Sequence, residues 1–215
     1  MVRAVWELWP LLAVFMAVLV FFHSSEFLLA ATFNREGLSW DSLLISQPYV
    51  IAMVGALTEF ALEALFVPAW KAQWQISAAG MVLVLLGEAL RKVAMLTARG
   101  NFTHKIRRRQ DSRHNLVTHG VYRYIRHPGY LGWYWWALGT QLLLVNPISL
   151  CLFACVAWRF FKERIEDEEH LLERFFGQQY TDYALRTPTW LPGIPGIVLA
   201  RGGDTQYTHA LHRAS

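Results

Sequence analysis

The chain has 215 residues, of which 54% are hydrophobic and 14% aromatic, and its formal net charge at pH 7 is +4. That length suits a single domain, and the apolar fraction is higher than a water-soluble globular domain tolerates. Composition therefore excludes an ordinary soluble protein. We expect one membrane-embedded domain over residues 1–215 that ends in a flexible tail at 196–215.

Five apolar segments predict about five transmembrane helices. They cover residues 8–33, 50–70, 76–98, 130–145 and 148–161. Crossing the hydrocarbon core takes about 20 apolar residues, so the last two segments are short. Only Asn146 and Pro147 separate them, which predicts a tight helical hairpin held inside the bundle. The first segment is too long for a cleaved signal peptide, and we expect it to remain as an anchor helix.

Several ionisable residues lie inside these segments, where charges are costly and usually face a partner or a watery cavity. Glu26 belongs to the first segment, Glu59 to the second, and Glu88 and Arg91 to the third. We expect interhelical ion pairs, for example Glu26 or Glu59 with Arg91, that fix the order of the helices. Direct catalysis by these groups is the less favoured alternative.

The sequence offers little to a metal ion or a disulfide. Cys151 and Cys155 lie one helical turn apart in the fifth segment, without the spacing of a disulfide framework or a zinc site. We expect them to be small packing residues. His23 has no histidine at ligand spacing, and we find no glycine-rich nucleotide loop or nucleophile elbow. No metal is therefore predicted.

The region between the third and fourth segments is strongly basic. Eight arginines and lysines lie from Arg99 to Arg126, against one acidic residue, Asp111. By the positive-inside rule this loop is cytosolic, so the C-terminal tail is cytosolic too and the N-terminus lies across the membrane. We expect the loop to attract anionic lipid only weakly, and nothing in it predicts nucleic-acid binding.

The fifth helix is predicted to continue into the cytosol. Its apolar spacing persists to Phe176, and Gly177 is a suitable stop. Arg164 and Glu168 are four residues apart, so they share one helix face just beyond the bilayer. The neighbouring acidic residues are expected to form a solvated face: Glu163, Glu166, Asp167 and Glu169.

A compact loop leads back into the membrane at the fourth helix. Within 127–130, the proline restricts the preceding histidine to extended backbone and suits the first helical turn. The glycine permits close approach of a backbone or a ligand. Because His114 and Tyr122 precede this turn, we expect it to contact a ligand. A cytosolic site built from 99–130 and 162–195 would let a polar cofactor meet a lipidic substrate, as in an enzyme.

Nine stretches along the chain are similar to one known family. They are 22–26, 87–92, 114–130, 132–133, 139–141, 146–148, 158–161, 164–169 and 175–180. In combination they resemble the isoprenylcysteine carboxyl methyltransferase family, from about residue 20 to about residue 195. The Arg-His-Pro-x-Tyr turn alone is less specific, because membrane sterol reductases and phospholipid methyltransferases have similar turns.

The resemblance implies a multi-pass enzyme of the endoplasmic reticulum membrane with its active site facing the cytosol. Such an enzyme methylates the C-terminal α-carboxylate of S-prenylated cysteine on processed CaaX proteins of the small-GTPase type, using S-adenosylmethionine. Animal members carry additional N-terminal spans, so this chain resembles the shorter, plant-like form. Two other functions stay open: an NADPH-dependent membrane sterol or lipid reductase on a related fold, and a non-catalytic receptor for prenylated proteins.

Family knowledge, carried to matching positions, implies a site without a metal or a covalent nucleophile. Arg164 would bind the substrate carboxylate and, with Glu168, form the catalytic pair. Arg107 stands where animal members have a cofactor-binding glutamine. The aromatic run 133–136 would either line the opening for the prenyl tail or anchor the chain at the interface. The implied cofactor contacts are His114, Asn115, Leu116, Val117, Tyr122, His127, Pro128, Gly129, Tyr130 and Glu168.

Overall fold

A computed structural model describes residues 8–110 and 114–196, and over these residues the chain is built from helices without a strand. In chain order the α-helices are α1 (Trp9–Phe33), α2 (Gln47–Phe66), the short α3 (Pro68–Lys71), α4 (Trp74–Ala98), α5 (Pro128–Leu143), α6 (Pro147–Phe176) and α7 (Gln178–Arg186). Short 3₁₀ turns lie at Arg35–Gly37, Trp40–Leu43, Arg99–Asn101 and Gly120–Arg123. The all-α prediction is confirmed for this part of the chain.

Proline and glycine set several helix boundaries. Helix α2 stops at Phe66, four residues before the end of the predicted segment 50–70. Val67 precedes Pro68 and leaves the helical conformation, with φ −138° and ψ 53°. Helix α6 runs on to Phe176 and ends at Gly177, as predicted, since the φ of 52° there favours glycine. Helix α7 has no counterpart among the segments predicted from the sequence.

Helices α4 and α5 make the most extensive helix–helix contact in the described structure. A Cβ on Gly87 would lie 2.5 Å from the Gly132 carbonyl oxygen, and a Cβ on Gly132 would lie 2.7 Å from the Gly87 oxygen. Gly80 and Gly139 repeat this arrangement seven residues away along each helix. Because the neighbours are backbone atoms, which cannot turn aside, the spacing of these two helices requires glycine.

Polar groups from α2 and α3 fix the connection between α5 and α6. Lys71 is buried and donates to two backbone carbonyls of this connection and to Asn146 Oδ1, at 2.7–2.9 Å. Glu59 accepts two backbone N–H groups in the first turn of α6, each at 2.7 Å, where a carboxylate is favoured. Glu59 therefore does not pair with Arg91. Glu26 does, at 2.7 Å, which confirms the other predicted pair.

Two described segments, Trp9–Phe33 and Trp40–Phe66, are long and apolar enough to cross a membrane, by length and composition. Many of their large apolar side chains are exposed, for example Val20, Phe21, Leu28 and Ile51. The count of five spans and the membrane hairpin remain predictions. Cys151 and Cys155 are exposed on α6, so their expected role as packing residues is wrong.

Candidate active site

One narrow cavity, here called the inner cavity, gathers every residue that the sequence analysis assigned to the cofactor. Its volume is about 110 Å³. The loop 114–117, the turn into α5 and the C-terminal half of α6 supply its walls, together with two tyrosines of α7. The predicted residues that line it are His114, Asn115, Leu116, Val117, Tyr122, His127, Pro128, Gly129, Tyr130 and Glu168.

Helix α7 holds the 3₁₀ turn Gly120–Arg123 against this cavity. The Tyr183 hydroxyl donates to the carbonyl oxygen of Tyr122 at 2.7 Å. Removal of water from the Tyr122 phenol raises its pKa well above the ordinary value, and the nearby Glu168 carboxylate adds to the rise. The phenol therefore stays protonated near neutral pH and can donate a hydrogen bond.

The turn at 127–130 is held by its neighbours. His127 Nε2 lies 3.1 Å from Glu169 Oε1, and the His127 ring stacks on the Tyr130 ring with 5.5 Å between centroids. A Cβ on Gly129 would lie 2.8 Å from the Phe102 ring. The close neighbour of this glycine is thus an aromatic side chain, and Gly129 also lines the inner cavity.

The expectation that Glu169 belongs to a solvated acidic face is wrong. Its side chain is buried and pairs with His127 and with Arg126, whose Nε lies 3.4 Å from Oε1. Phe161 and Ile165 precede it at intervals of four and are buried as well. That spacing puts Glu169 on the inward face of α6. The spacing is also the signal in the sequence that could have identified Glu169 as a buried residue.

A second, wider cavity of about 1120 Å³, here called the outer cavity, adjoins the first. The end of α1, residues 34–46 and residues 99–110 form much of its wall, which also contains Tyr130, Trp133, Phe160 and Arg164. Arg164 Nη2 donates to the His104 carbonyl oxygen at 2.5 Å. The outer cavity therefore combines a fixed guanidinium with apolar and aromatic surface.

Tyr130 stands between the two cavities and lines both. Its hydroxyl donates to Glu168 Oε2 at 2.6 Å and accepts from Arg164 Nε at 2.8 Å. Of the two cavities, Arg164 lines only the outer one and Glu168 only the inner one. A single phenol oxygen therefore connects the two residues predicted to be catalytic.

Comparison with known proteins shows the family to which this chain belongs. A model of the isoprenylcysteine carboxyl methyltransferase family matches residues 79–174, which include Arg164 and Glu168. A probable protein-S-isoprenylcysteine O-methyltransferase of Oryza sativa subsp. indica is 49% identical over 181 residues, which make up 84% of this chain and 95% of the rice protein. The chain belongs to the isoprenylcysteine carboxyl methyltransferase family. Because it matches nearly the whole rice protein, the predicted likeness to the shorter, plant-like form is confirmed.

Animal isoprenylcysteine carboxyl methyltransferases extend beyond the matched region. The protein-S-isoprenylcysteine O-methyltransferase of Rattus norvegicus is 47% identical over 178 residues, or 82% of this chain and 63% of the rat protein. A solved structure of a eukaryotic intramembrane Ras methyltransferase of this family has a TM-score of 0.84 and 45% identity, over 86% of this chain and 67% of that chain. The helical architecture is thus that of an intramembrane methyltransferase.

Arg107 and the aromatic run 133–136 also have defined positions relative to the two cavities. Arg107, expected from the resemblance to stand at a cofactor-contact position, lines the outer cavity and not the inner one. Its Nη2 donates to the Gly100 carbonyl oxygen at 2.6 Å. In the aromatic run 133–136, Trp133 lines the outer cavity, whereas Trp136 is buried and stacks on Phe22. The run thus divides between cavity and core.

Proposed function

We propose that this chain methylates the C-terminal α-carboxylate of S-prenylated cysteine on processed CaaX proteins, with S-adenosylmethionine as the methyl donor. The rice and rat relatives carry the corresponding activity in their names. The observation that carries the proposal is the Tyr130 hydroxyl, which joins Arg164 in the outer cavity to Glu168 in the inner cavity. Two cavities that meet at one polar point suit the transfer of a small group between two ligands.

The inner cavity has suitable chemistry for S-adenosylmethionine. The Glu168 carboxylate complements the ammonium group of the donor, while Asn115 and Tyr122 offer polar and aromatic surface. When bound, the sulfonium supplies an electrophilic methyl group. The volume of about 110 Å³ is smaller than the roughly 300–1,000 Å³ of typical small-molecule sites. The inner cavity must therefore widen as the donor enters.

Arg164 is the group that we assign to the substrate carboxylate. Its contacts with His104 and Tyr130 use two of the five N–H donors of a guanidinium, so three remain for the fork that a carboxylate accepts. A C-terminal carboxylate is already ionised near neutral pH, so no general base is required. Because the carboxylate charge is consumed during methyl transfer, Arg164 acts chiefly by aiming the attacking oxygen.

The outer cavity also suits a prenyl chain. Its apolar wall includes Leu29, Met95, Phe102, Trp133 and Phe160. Burial of apolar area stabilises a complex by about 25 cal/mol per Å², so a cysteine without a prenyl group would bind weakly. Enclosure of the reacting groups would also exclude water from the transfer.

We further propose an endoplasmic-reticulum location, about five transmembrane helices, and a site that faces the cytosol. The basic residues of 99–109 beside the outer cavity support this orientation, since cytosolic loops carry an excess of lysine and arginine. The last two spans would be α5 and the first half of α6, joined at Asn146. Substrates of the small-GTPase type fit the solved relative, which is described as a Ras methyltransferase.

Methyl transfer from labelled S-adenosylmethionine to N-acetyl-S-farnesylcysteine in purified membranes tests the proposal. We expect product from the free carboxylate and none from its methyl ester or from unprenylated N-acetylcysteine. Equal rates with and without the prenyl group would contradict a lipid-selective site. Stabilisation by NADPH and not by S-adenosylhomocysteine would favour a reductase, and binding of a farnesylated peptide without methylated product would favour a receptor.

A further inference from the structure

Glu26 of α1 is fully buried at the centre of a charged cluster between α1, α4 and the loop after α4. Its Oε1 accepts from Arg91 Nε at 2.8 Å and from Lys92 Nζ at 2.6 Å. Its Oε2 accepts from Arg91 Nη2 at 2.7 Å and from His104 Nε2 at 2.7 Å. These contacts match the roughly four lone-pair sites of a carboxylate. The cluster is thus larger than the single ion pair that the sequence predicted.

Two of these partners continue to the two cavities. Arg91 uses its third nitrogen, Nη1, to donate to the Gly129 carbonyl oxygen at 2.9 Å, in the turn that lines the inner cavity. His104 presents its backbone oxygen to Arg164 Nη2 in the outer cavity. We call the path through Arg91 the donor arm and the path through His104 the acceptor arm.

The donor arm is stiff because aromatic rings surround it. The guanidinium carbon of Arg91 lies 5.7 Å from the Phe22 ring centroid, 5.5 Å from that of Phe102 and 5.8 Å from that of Trp133. Such cation–π contacts, together with the bidentate bond to Glu26, hold the guanidinium plane in one orientation. A shift of Glu26 is therefore transmitted to the Gly129 carbonyl and is not absorbed by side-chain rotation.

We propose that Glu26 is a positioning residue that sets the alignment of the methyl donor with the acceptor carboxylate. This inference rests on the proposed function and deepens it. Glu26 lines neither cavity, so it acts through its two arms. An in-line transfer needs this alignment, since misplacement by about 1 Å can cost on the order of a hundredfold in rate. One carboxylate that holds both arms keeps the turn at 127–130 and the loop at His104 in a fixed relation.

The test uses the full chain in lipid nanodiscs and two separate readouts. They are the Kd of S-adenosylhomocysteine for the donor side, and the KM of N-acetyl-S-farnesylcysteine for the acceptor side. His104→Ala cuts the acceptor arm, and Arg91→Lys cuts the donor arm, because an ammonium cannot span the Glu26 carboxylate and the Gly129 carbonyl together. Glu26→Gln weakens both arms. Glu88→Gln is the matched control, since Glu88 is a buried partner of Lys92 that lines neither cavity.

We expect each arm to affect its own ligand. Loss of a charge-assisted hydrogen bond weakens binding by about tenfold. His104→Ala should therefore raise the KM by about tenfold and leave the Kd within about twofold. Arg91→Lys should raise the Kd by about tenfold and the KM by less, because Arg91 also lines the outer cavity. Glu26→Gln should raise both constants, and Glu88→Gln neither.

A merely structural cluster predicts a different pattern. The inference is overturned if His104→Ala and Arg91→Lys raise both constants in parallel, or if Glu26→Gln behaves like Glu88→Gln. If Glu26→Gln does not fold, the two single-arm variants decide alone. Wild-type protein that binds S-adenosylhomocysteine but transfers no methyl group would instead refute the proposed function, which separates the two failures.

Discussion

Replacement of Tyr130 by phenylalanine removes one oxygen atom at the junction of the two cavities. The ring itself stays stacked on His127 and packed on Phe161, so the fold should survive. The lost hydroxyl leaves Glu168 without its 2.6 Å donor and Arg164 Nε without its 2.8 Å acceptor. Each bond to a charged group contributes about 1.5–3 kcal/mol. Glu168 and Arg164 are both partly exposed, and water can replace part of what is lost.

We therefore take the free energy of one such bond as the net loss of transition-state stabilisation. It corresponds to about a 10- to 100-fold fall in kcat/KM for Tyr130→Phe. Methyl transfer to N-acetyl-S-farnesylcysteine measures it, with the thermal midpoint as a check on folding. Tyr134→Phe is the matched control, because Tyr134 lies one turn further along α5, packs on the same Phe161 ring and lines neither cavity. Activity of Tyr130→Phe within twofold of Tyr134→Phe would refute the reasoning.

Three further outcomes are expected. Arg164→Lys should lower kcat by about a hundredfold and leave the affinity for S-adenosylhomocysteine unchanged, because an ammonium cannot replace the guanidinium fork. The control Arg159→Lys, at an exposed position on the same helix, should keep near-normal turnover. Equal activity of the two variants would show that Arg164 is only a surface cation. Glu168→Gln should weaken the binding of S-adenosylhomocysteine about tenfold, as measured by calorimetry. An unchanged Kd would show that Glu168 does not contact the donor. Gly87→Ala should destabilise the protein by about 1–3 kcal/mol, because its Cβ would clash with backbone atoms. The control Gly55→Ala should not, since nothing lies within 4 Å of a Cβ at that position. Similar thermal midpoints for the two variants would contradict the packing argument.

Features encoded by neighbouring residues could be predicted from the sequence. The end of α6 at Gly177 and the start of α5 at Pro128 depend on local backbone preferences. The ten residues predicted to bind the cofactor line one cavity, and nine of them belong to one short loop and turn. The family pattern supplied their identity, and the compactness of 114–130 made their proximity probable before any tertiary contact was known.

Long-range partners could not be predicted in this way. The carboxylate of Glu59 meets backbone about 90 residues later in the chain, and Lys71 meets carbonyls more than 70 residues later. Such contacts depend on how whole helices pack. Arg164 and Glu168 do share a helix face as predicted, yet they open into different cavities. The reason is the Tyr130 side chain, which another helix inserts between them.

Because the connection between α5 and α6 is held in place, α6 can tilt about a pivot at its N-terminal end, far from the candidate active site. Arg164 lies 17 residues beyond Pro147, or about 25 Å along the axis at 1.5 Å per residue. With Lys71 and Glu59 holding the pivot, a tilt of about 2° would swing the far part of the helix by roughly 0.9 Å. Arg164 and Glu168 would travel together on that arc with their separation preserved. The inner cavity could thus widen for an incoming donor without any change in the geometry between the two side chains that must act on it in concert.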